Sequence, residues 1–285
     1  MPPHISRRTF LRNALRTSAV LGSIAISGAG YSLYAEPNWL SIDHVDVPIL
    51  GLPAALHGLR IAQLSDIHAS VEISPQQIAQ AVAATLHEQP DLIVLTGDYV
   101  SHGLSHVPDL ASFANLQAPL GVYAVLGNHD HWTGAPERIA QTLTSYGIQM
   151  LKNTHVRIQS GGAADLWLAG VDDVWEQGAD LAAALRGIPA GATTVLLAHE
   201  PDFADIAAQR GIQLQLSGHS HGGQVRLPWL GAPILPWLGE RYPIGLQRVA
   251  GTQTQVYTNR GIGMVKPAVR FNCRPEVTIL RLVHT

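Results

Sequence analysis

Two histidines lie two positions apart in the stretch LSGHSHGGQVRLP, residues 216–228, directly after the apolar run GIQLQL. Neutral imidazole is the commonest nitrogen ligand for zinc, manganese or iron. The chain contains 14 histidines, so a surface turn could also hold such a pair. His219 and His221 therefore raise a metal site as a hypothesis, which the rest of the chain has to support.

Five successive apolar runs end in Asp, Asn or His, and four of them contribute histidine. A single Asp or Asn after a strand is usually a turn residue or a helix cap. Open α/β sheets, however, place their ligand crevices at the carboxyl ends of the strands. Five such endings in a row predict a metal site with seven candidate ligands: Asp66, His68, Asp98, Asn128, His199, His219 and His221.

The number of candidate ligands predicts the number of ions. Seven donors are too many for one zinc ion, which is usually four-coordinate. Two ions that share one carboxylate would receive four donors each and leave room for bridging solvent. Two divalent ions a few Å apart stabilise both the attacking and the leaving oxygen of a displacement at phosphorus. The donor set suits manganese, iron or zinc without selecting among them.

Strands that alternate with helices must position these donors. Hydrophobic patterning predicts buried strands over 58–66, 91–98, 121–130, 192–200 and 212–220, and helices over 74–88, 135–147, 178–187 and 201–211. Shorter strands are predicted at GIQMLKN, VRIQS and LWLAGVDD, and the chain after Gly222 is strand-like and rich in loops. Ser74 and Gln77 predict a capping box at the first of these helices. This alternation is typical of an α/β domain with largely parallel central strands.

The motifs DIH, GD, GNHD, H and GHSH, in this order, resemble the signature of the calcineurin-like metallophosphoesterases. The resemblance covers roughly residues 58–282. It implies an α/β fold in four layers (αββα), with two mixed sheets face to face, helices outside, and the metal site at the carboxyl ends of the strands. It also implies a first ion held by Asp66, His68, Asp98 and His221, and a second held by Asp98, Asn128, His199 and His219.

The same resemblance gives His129 a different role from the metal ligands. It implies that His129 contacts the phosphate and protonates the leaving oxygen, while metal-bound hydroxide attacks phosphorus. An imidazole suits general acid catalysis because its intrinsic pKa lies near neutrality. Two interpretations of Asp130 stay open: it either orients His129 and holds its charge, or it is a turn acid.

One departure from the family pattern bears on the substrate. GDYVSHG, residues 97–103, resembles the GDYVDRG of Ser/Thr phosphoprotein phosphatases up to Val100, but Ser101 and His102 replace the acid and the phosphate-gripping arginine. This replacement disfavours phosphoproteins as substrates. The leader and the stretches EPNWL, GHSHGGQVRLP and NRGIG are more similar to exported bacterial phosphodiesterases, some of whose relatives hydrolyse UDP-2,3-diacylglucosamine, a lipid A precursor.

The expected activity is therefore hydrolysis of a phosphodiester or pyrophosphate bond in an envelope lipid precursor or a similar small molecule. Two alternatives stay open. The first is a phosphomonoesterase of broad specificity. The second is a non-catalytic, metal-containing binding protein at the membrane. Retention of all seven candidate ligands and of His129 favours an enzyme.

The first 35 residues predict export. They carry four arginines and no acid, and Arg7-Arg8 followed by Phe10-Leu11 resembles a twin-arginine signal. The apolar stretch from Ala19 to Ala35 is at the short end for a bilayer span. We expect residues 36–285 to form one domain, carried by the twin-arginine machinery to the periplasm. There the leader is either cleaved or kept as an anchor on the inner membrane.

Composition narrows the classes of partner. The 46% hydrophobic and 14% charged content is typical of a globular core. Without the four leader arginines, 14 basic side chains stand against 21 acidic ones, so we expect no nucleic-acid partner. A single cysteine, Cys273, excludes an internal disulfide and a cysteine-rich zinc site.

The stretch LPWLGAPILPWLGERYPIG, residues 227–245, places Trp229 and Trp237 beside the H-x-H pair. Tryptophan is enriched at membrane interfaces, and exposed apolar patches usually mark a partner. We therefore expect this aromatic insert to contact a membrane surface. The alternative is a proline-rich loop packed on the core.

Overall fold

A computed structural model describes residues 6–159 and 165–285. The first five residues of the predicted leader, and Ser160 at the end of the predicted strand VRIQS, lie outside the described residues. The helices are α1 (Arg7–Gly30), α2 (Pro75–His87), α3 (Asn128–Trp132), α4 (Pro136–Ser145), α5 (Leu181–Ala184) and α6 (Ala204–Ala208). The strands are β1 (Ser41–Ile49), β2 (Arg60–Leu64), β3 (Leu92–Thr96), β4 (Val122–Val125), β5 (Gln149–Met150), β6 (Thr154–Gln159), β7 (Asp165–Gly170), β8 (Thr194–Leu197), β9 (Leu214–Ser217), β10 (Gly245–Arg248), β11 (Gln255–Thr258) and β12 (Glu276–His284).

The strands form two mixed sheets of six. The first has the order β1-β12-β2-β3-β4-β5, in which β2 to β5 are parallel and β12 is antiparallel to β2. The second has the order β10-β11-β9-β8-β7-β6, in which β11, β9, β8 and β7 are parallel and both edge strands are antiparallel to their neighbours. The parallel centre predicted from the sequence is confirmed.

The side chains of β3 show how the layers are built. Leu92 and Val94 point into a core between the two sheets, where they join Leu168 and Leu197 of the second sheet. The alternate residues of β3 pack outward against α2 and α4, and the outer face of the second sheet is covered by α5 and α6. Because β3 is buried on both faces, it is a continuous apolar run rather than an alternating one. The predicted four-layer αββα sandwich is confirmed.

Two of the predicted helices are shorter than expected. α5 is a single turn. The Asp180 side chain caps its start by accepting from the Ala183 amide, and Gly187, at φ +94°, ends the segment. The segment predicted as a helix over 201–211 begins instead with a 3₁₀ turn at Pro201–Phe203, and α6 follows it. The capping box at Ser74 is present: its hydroxyl accepts from the Gln77 amide, and the Gln77 side chain accepts from the Ser74 amide.

The sequence analysis assigned no element to β1, which pairs in parallel with β12 along its whole length. Val47 and Ile49 are buried while the residues between and before them are less so, which is the alternation of an edge strand. Pro48 is tolerated there because an edge strand has one side free of ladder hydrogen bonds.

The N-terminal segment is tied to the domain near its end. The Ser32 carbonyl accepts a hydrogen bond from the Arg270 amide at 3.0 Å. The carboxylate of Glu36, which is fully buried, accepts from the amides of Asn272 and Cys273. Within the described part of the chain, no helix is both long and apolar enough to cross a membrane.

Candidate metal centre

All seven candidate ligands lie just after the ends of strands, six in loops or short turns and Asn128 at the start of α3. The loops follow β2, β3 and β4 in the first sheet and β8 and β9 in the second. The side chains are almost completely buried, with exposures of 0–6%: Asp66, His68, Asp98, Asn128, His199, His219 and His221. Burial of so many polar groups costs free energy unless they are paired or bind a metal, so the cluster is a candidate metal site.

Four donors converge in the first half of the cluster. The Nε2 atoms of His68 and His221 face each other at 3.0 Å. Asp66 Oδ1 lies 3.4 Å from Nε2 of His221, and Asp98 Oδ2 lies 3.4 Å from Nε2 of His68. Two imidazole nitrogens that face each other between two carboxylates are the arrangement expected of ligands to a shared cation.

The second half of the cluster shares Asp98. Its Oδ2 atom lies 3.1 Å from Nε2 of His199, and the Asn128 Oδ1 atom lies 3.0 Å from Nδ1 of His219. His199 donates from Nδ1 to the Thr96 carbonyl at 2.6 Å, and His219 donates from Nε2 to the Trp237 carbonyl at 2.8 Å. Metal-binding histidines characteristically use their second nitrogen in this way, which fixes the orientation of the ring.

The protonation of the cluster also fits a metal. Burial lowers the pKa of His68 to about 4 and that of His219 to about 3, so both rings are neutral and can act as ligands. Burial raises the pKa of Asp66 to about 6, and the nearby charge of Asp98 adds to this effect. Burial alone would lower the pKa of His199, but the charge of Asp98, whose Oδ2 atom lies 3.1 Å from Nε2, raises it, so a metal ion bound there would displace a proton. A divalent cation would compensate the two buried acids and complete the coordination of these nitrogens.

Five of the seven ligands adopt left-handed backbone conformations, with φ between +47° and +67°: Asp66, His68, Asp98, His219 and His221. For residues other than glycine such conformations are uncommon, cost about 1–3 kcal/mol each and cluster at functional sites. In two short stretches, ligands two positions apart share this conformation: Asp66 with His68, and His219 with His221.

Asp130 ties the loops that carry two of the ligands. Its carboxylate accepts hydrogen bonds from the amides of Asp98 and Tyr99, both at 2.9 Å, and of Gly127 at 3.0 Å. These bonds go to the backbone rather than to the ring of His129. Of the two interpretations of Asp130, the structure therefore shows the acid that holds turns together.

His129 lies at the edge of the cluster and is half-buried. Its amide donates to Asp98 Oδ1 at 2.9 Å, and its Nδ1 atom donates to the Ser101 carbonyl at 3.0 Å. One of its ring nitrogens lies within 4.8 Å of donor atoms of His68 and Asp98. With Nδ1 engaged by a carbonyl, Nε2 is the nitrogen that can exchange a proton with a substrate.

A cavity of about 330 Å³ opens from the metal donors, and we call it the apolar cavity. Its floor includes Asp98, His129 and His219, and its walls come from two aromatic side chains and from apolar segments: Trp132, Trp175, 233–236 and Val265 with Val269. The sequence analysis did not identify Trp132 and Trp175. The sequence did contain one signal: β7 is followed by Asp172-Asp173, a sixth polar strand end, and Trp175 lies two residues after Asp173.

The aromatic insert 227–245 forms one wall of this cavity and an exposed apolar patch beside it. Trp229 is fully exposed, and Leu230 and Ile234 are about four-fifths exposed. Trp237 is half-exposed and its ring packs edge-to-face on Trp175, with centroids 5.1 Å apart. For Trp229, the alternative of packing on the core is wrong.

Comparisons with known proteins agree with this geometry. Residues 59–223 match the calcineurin-like phosphoesterase family. The chain is 35% identical to phosphodiesterase YaeI of Escherichia coli, over 98% of this chain and 100% of that protein. It is 26% identical to UDP-2,3-diacylglucosamine pyrophosphatase LpxG of Chlamydia trachomatis, over 88% of this chain and 92% of that protein.

Among solved structures, sulfate thiohydrolase SoxB of Thermus thermophilus shares the fold, with a TM-score of 0.50 and 16% identity over 81% of this chain and 57% of that one. The class defined by the fold and the buried ligand cluster is thus that of a metal-dependent hydrolase of phosphoesters. The chain belongs to the calcineurin-like phosphoesterase family. The family resemblance seen in the sequence is confirmed.

Proposed function

We propose that this protein is a two-metal hydrolase that cleaves a phosphodiester or pyrophosphate bond in an envelope lipid precursor such as UDP-2,3-diacylglucosamine. We further propose that it acts on the periplasmic side of the inner membrane, after twin-arginine export. One observation carries the lipid part of the proposal: the apolar cavity opens directly from the metal donors. A phosphoester bound at the metals would have its acyl portion against apolar walls.

The chain's own residues divide the work of hydrolysis. Asp66, His68, Asp98 and His221 would hold one ion, and Asp98, Asn128, His199 and His219 the other. When bound, the two divalent ions polarise the phosphoryl group and neutralise the negative charge that develops on its oxygens. His129, held through Nδ1 by the Ser101 carbonyl, presents Nε2 and donates its proton to the leaving oxygen.

The aromatic patch outside the cavity supports a membrane partner. Trp229, Leu230 and Ile234 of the aromatic insert are exposed apolar side chains, and Ile234 also lines the cavity. Soluble proteins rarely leave such a patch uncovered without a partner, and tryptophan suits the boundary between headgroups and acyl chains. A bilayer at this patch would deliver a diacylated substrate to the cavity.

Trp229→Ala tests the lipid proposal without disturbing the core. Because Trp229 is fully exposed, the variant should keep its melting temperature and its turnover of bis(p-nitrophenyl) phosphate with manganese. On UDP-2,3-diacylglucosamine in vesicles, we expect kcat/KM to fall about 10- to 100-fold, since burying one large apolar side chain is worth about 1.5–3 kcal/mol.

Trp39→Ala is the matched control, because Trp39 is also exposed but lies against Arg274 and does not line the apolar cavity. It should leave both activities unchanged. Hydrolysis of bis(p-nitrophenyl) phosphate without any hydrolysis of the diacylated substrate would refute the lipid precursor and keep the phosphodiesterase. Faster turnover of p-nitrophenyl phosphate than of the diester would favour a monoesterase.

A further inference from the structure

A second cavity, of about 390 Å³, adjoins the metal centre on the other side of His129. We call it the polar cavity. It shares His129, Val265 and Lys266 with the apolar cavity, so the three residues stand between the two. It is richer in polar and charged side chains than the apolar cavity, and these include the following: Ser70, Glu72, His102, Ser105, His106 and Lys266. A phosphoryl group next to His129 would therefore have an apolar compartment on one side and a polar compartment on the other.

Val265 and Lys266, which line both cavities, form a ridge between them, and Gln224 holds this ridge in place. The side-chain amide of Gln224 donates to the carbonyls of Val265, at 3.1 Å, and Pro267, at 3.2 Å, and its carbonyl accepts from the Val265 amide at 2.7 Å. Gln224 follows the H-x-H pair by three positions, so the same loop carries metal ligands and holds the ridge. The loop that carries His219 and His221 therefore also keeps the two cavities apart.

The charges that line the polar cavity are already paired. Lys266 Nζ lies 3.6 Å from Glu72 Oε1, and His106 Nδ1 lies 2.7 Å from Asp109 Oδ2. A cavity whose charges are balanced in this way favours neither a free anion nor a free cation. Serine hydroxyls and imidazoles can both donate and accept hydrogen bonds, which complements the hydroxyl groups of a sugar.

Two side chains of the polar cavity are free to bind such a group. Within residues 6–159 and 165–285, neither His102 nor Ser105 has a side-chain hydrogen bond to another residue, and both are exposed. The ring of His102 lies near that of His129, with centroids 5.8 Å apart.

We propose that the polar cavity binds the hydroxyl-bearing half of the substrate, a sugar ring attached to the phosphoryl group, and that His102 and Ser105 determine this specificity. This inference rests on the proposed function, because it assumes that the phosphoryl group binds at the metal centre. It adds the substrate class: an amphiphile with the scissile phosphorus between an acyl portion and a sugar.

Calorimetric titration of the manganese-loaded protein tests the proposal without requiring turnover. The two probes are methylphosphonate and the phosphonate analogue of glucose 1-phosphate, neither of which can be hydrolysed at phosphorus. We expect the sugar phosphonate to bind the wild type about tenfold more tightly, equivalent to about 1.4 kcal/mol. The double variant His102→Leu, Ser105→Val should lose most of that preference.

His87→Leu is the matched control, because His87 is an exposed histidine in the last turn of α2 and lines neither cavity. It should keep the wild-type preference. Equal affinities of the two probes for the wild type, no binding of the sugar phosphonate, or an unchanged preference in the double variant would each overturn the proposal. Failure to hydrolyse any diester would instead refute the proposed function. The ratio of the two affinities does not depend on turnover, so the two failures are distinguishable.

Discussion

Replacement of Asp130 tests whether the metal centre is held together by bonds to the backbone. In the structure, one carboxylate satisfies three buried amides, those of Asp98, Tyr99 and Gly127, at 2.9–3.0 Å. Asp130→Ala leaves all three without a partner. An unsatisfied buried donor costs about 1–3 kcal/mol, so we expect a loss of at least about 3 kcal/mol in the free energy of unfolding.

Thermal unfolding of the protein in excess chelator measures this loss without a contribution from bound metal. For a domain of this size, 1 kcal/mol shifts the melting temperature by about 2–4 °C, so Asp130→Ala should melt about 6–12 °C lower. Metal content, measured by elemental analysis, should also fall, because the anchored loops carry Asp98 and Asn128.

Asp130→Asn separates the backbone bonds from the charge. The Oδ2 atom accepts from the amides of Asp98 and Gly127, and Oδ1 accepts from that of Tyr99 and, at 3.4 Å, from that of Val100. An asparagine can keep its carbonyl on the first pair and lose only the bonds made by Oδ1. We expect Asp130→Asn to lower the free energy of unfolding by about 1–2 kcal/mol. Asp46→Ala, which breaks an exposed pair with Arg281, should change the melting temperature little. If Asp130→Ala melts within about 2 °C of the wild type, the assignment of these bonds is refuted.

Three further predictions concern the ligands, the acid and the leader. Asp98→Asn should lower bound metal and turnover together, by about 10²-fold or more in rate, and two ions per chain with wild-type rates would contradict the shared position. His129→Ala should keep its metal and lose about 10²–10⁴-fold in turnover, with smaller losses for good leaving groups. Uniform losses across leaving groups would exclude a general acid. Lys-Lys in place of Arg7-Arg8 should keep active protein in the cytoplasm, and unchanged periplasmic delivery in cell fractionation would point to another route.

The parallel central strands and the position of the ligand cluster could be predicted from short-range patterns, whereas the four-layer packing was implied by the family resemblance. An apolar run such as LIVLT predicts a strand buried on both faces, and the polar residue that follows it must lie at the sheet edge. The ends of neighbouring parallel strands meet at that edge. For this reason Asp66, Asp98 and Asn128, which follow the neighbouring strands β2, β3 and β4, could be brought together without knowledge of any loop.

The walls of the two cavities could not be predicted in the same way. Trp132 and Trp175 lie 5.6 Å apart between ring centroids, but Trp132 ends α3, which follows β4 of the first sheet, and Trp175 follows β7 of the second. The position of Trp175 depends on Glu200, whose carboxylate accepts from the amides of Val174 and Trp175, both at 3.2 Å. Since the separation of these residues in sequence follows no periodicity, only the folded chain shows that they face one substrate.

The glycines of the motifs GNHD and GHSH are required for their small size, whereas the ligands beside them are required for their donor atoms. A Cβ atom on Gly127 would overlap with the Asp98 carboxylate, and one on Gly218 would overlap with Ser65 and Asp66. These glycines are required because the backbone passes directly against a ligand, whereas Asp98 and His219 themselves take the left-handed conformation that glycine usually fills. GHSH therefore combines ligands in a strained conformation with a glycine that lets Asp66 approach, whereas in GNHD the glycine alone makes room for Asp98, the ligand of the preceding loop. A substitution of either kind should damage metal binding, but for opposite reasons: one removes a ligand, and the other displaces a ligand that is still present.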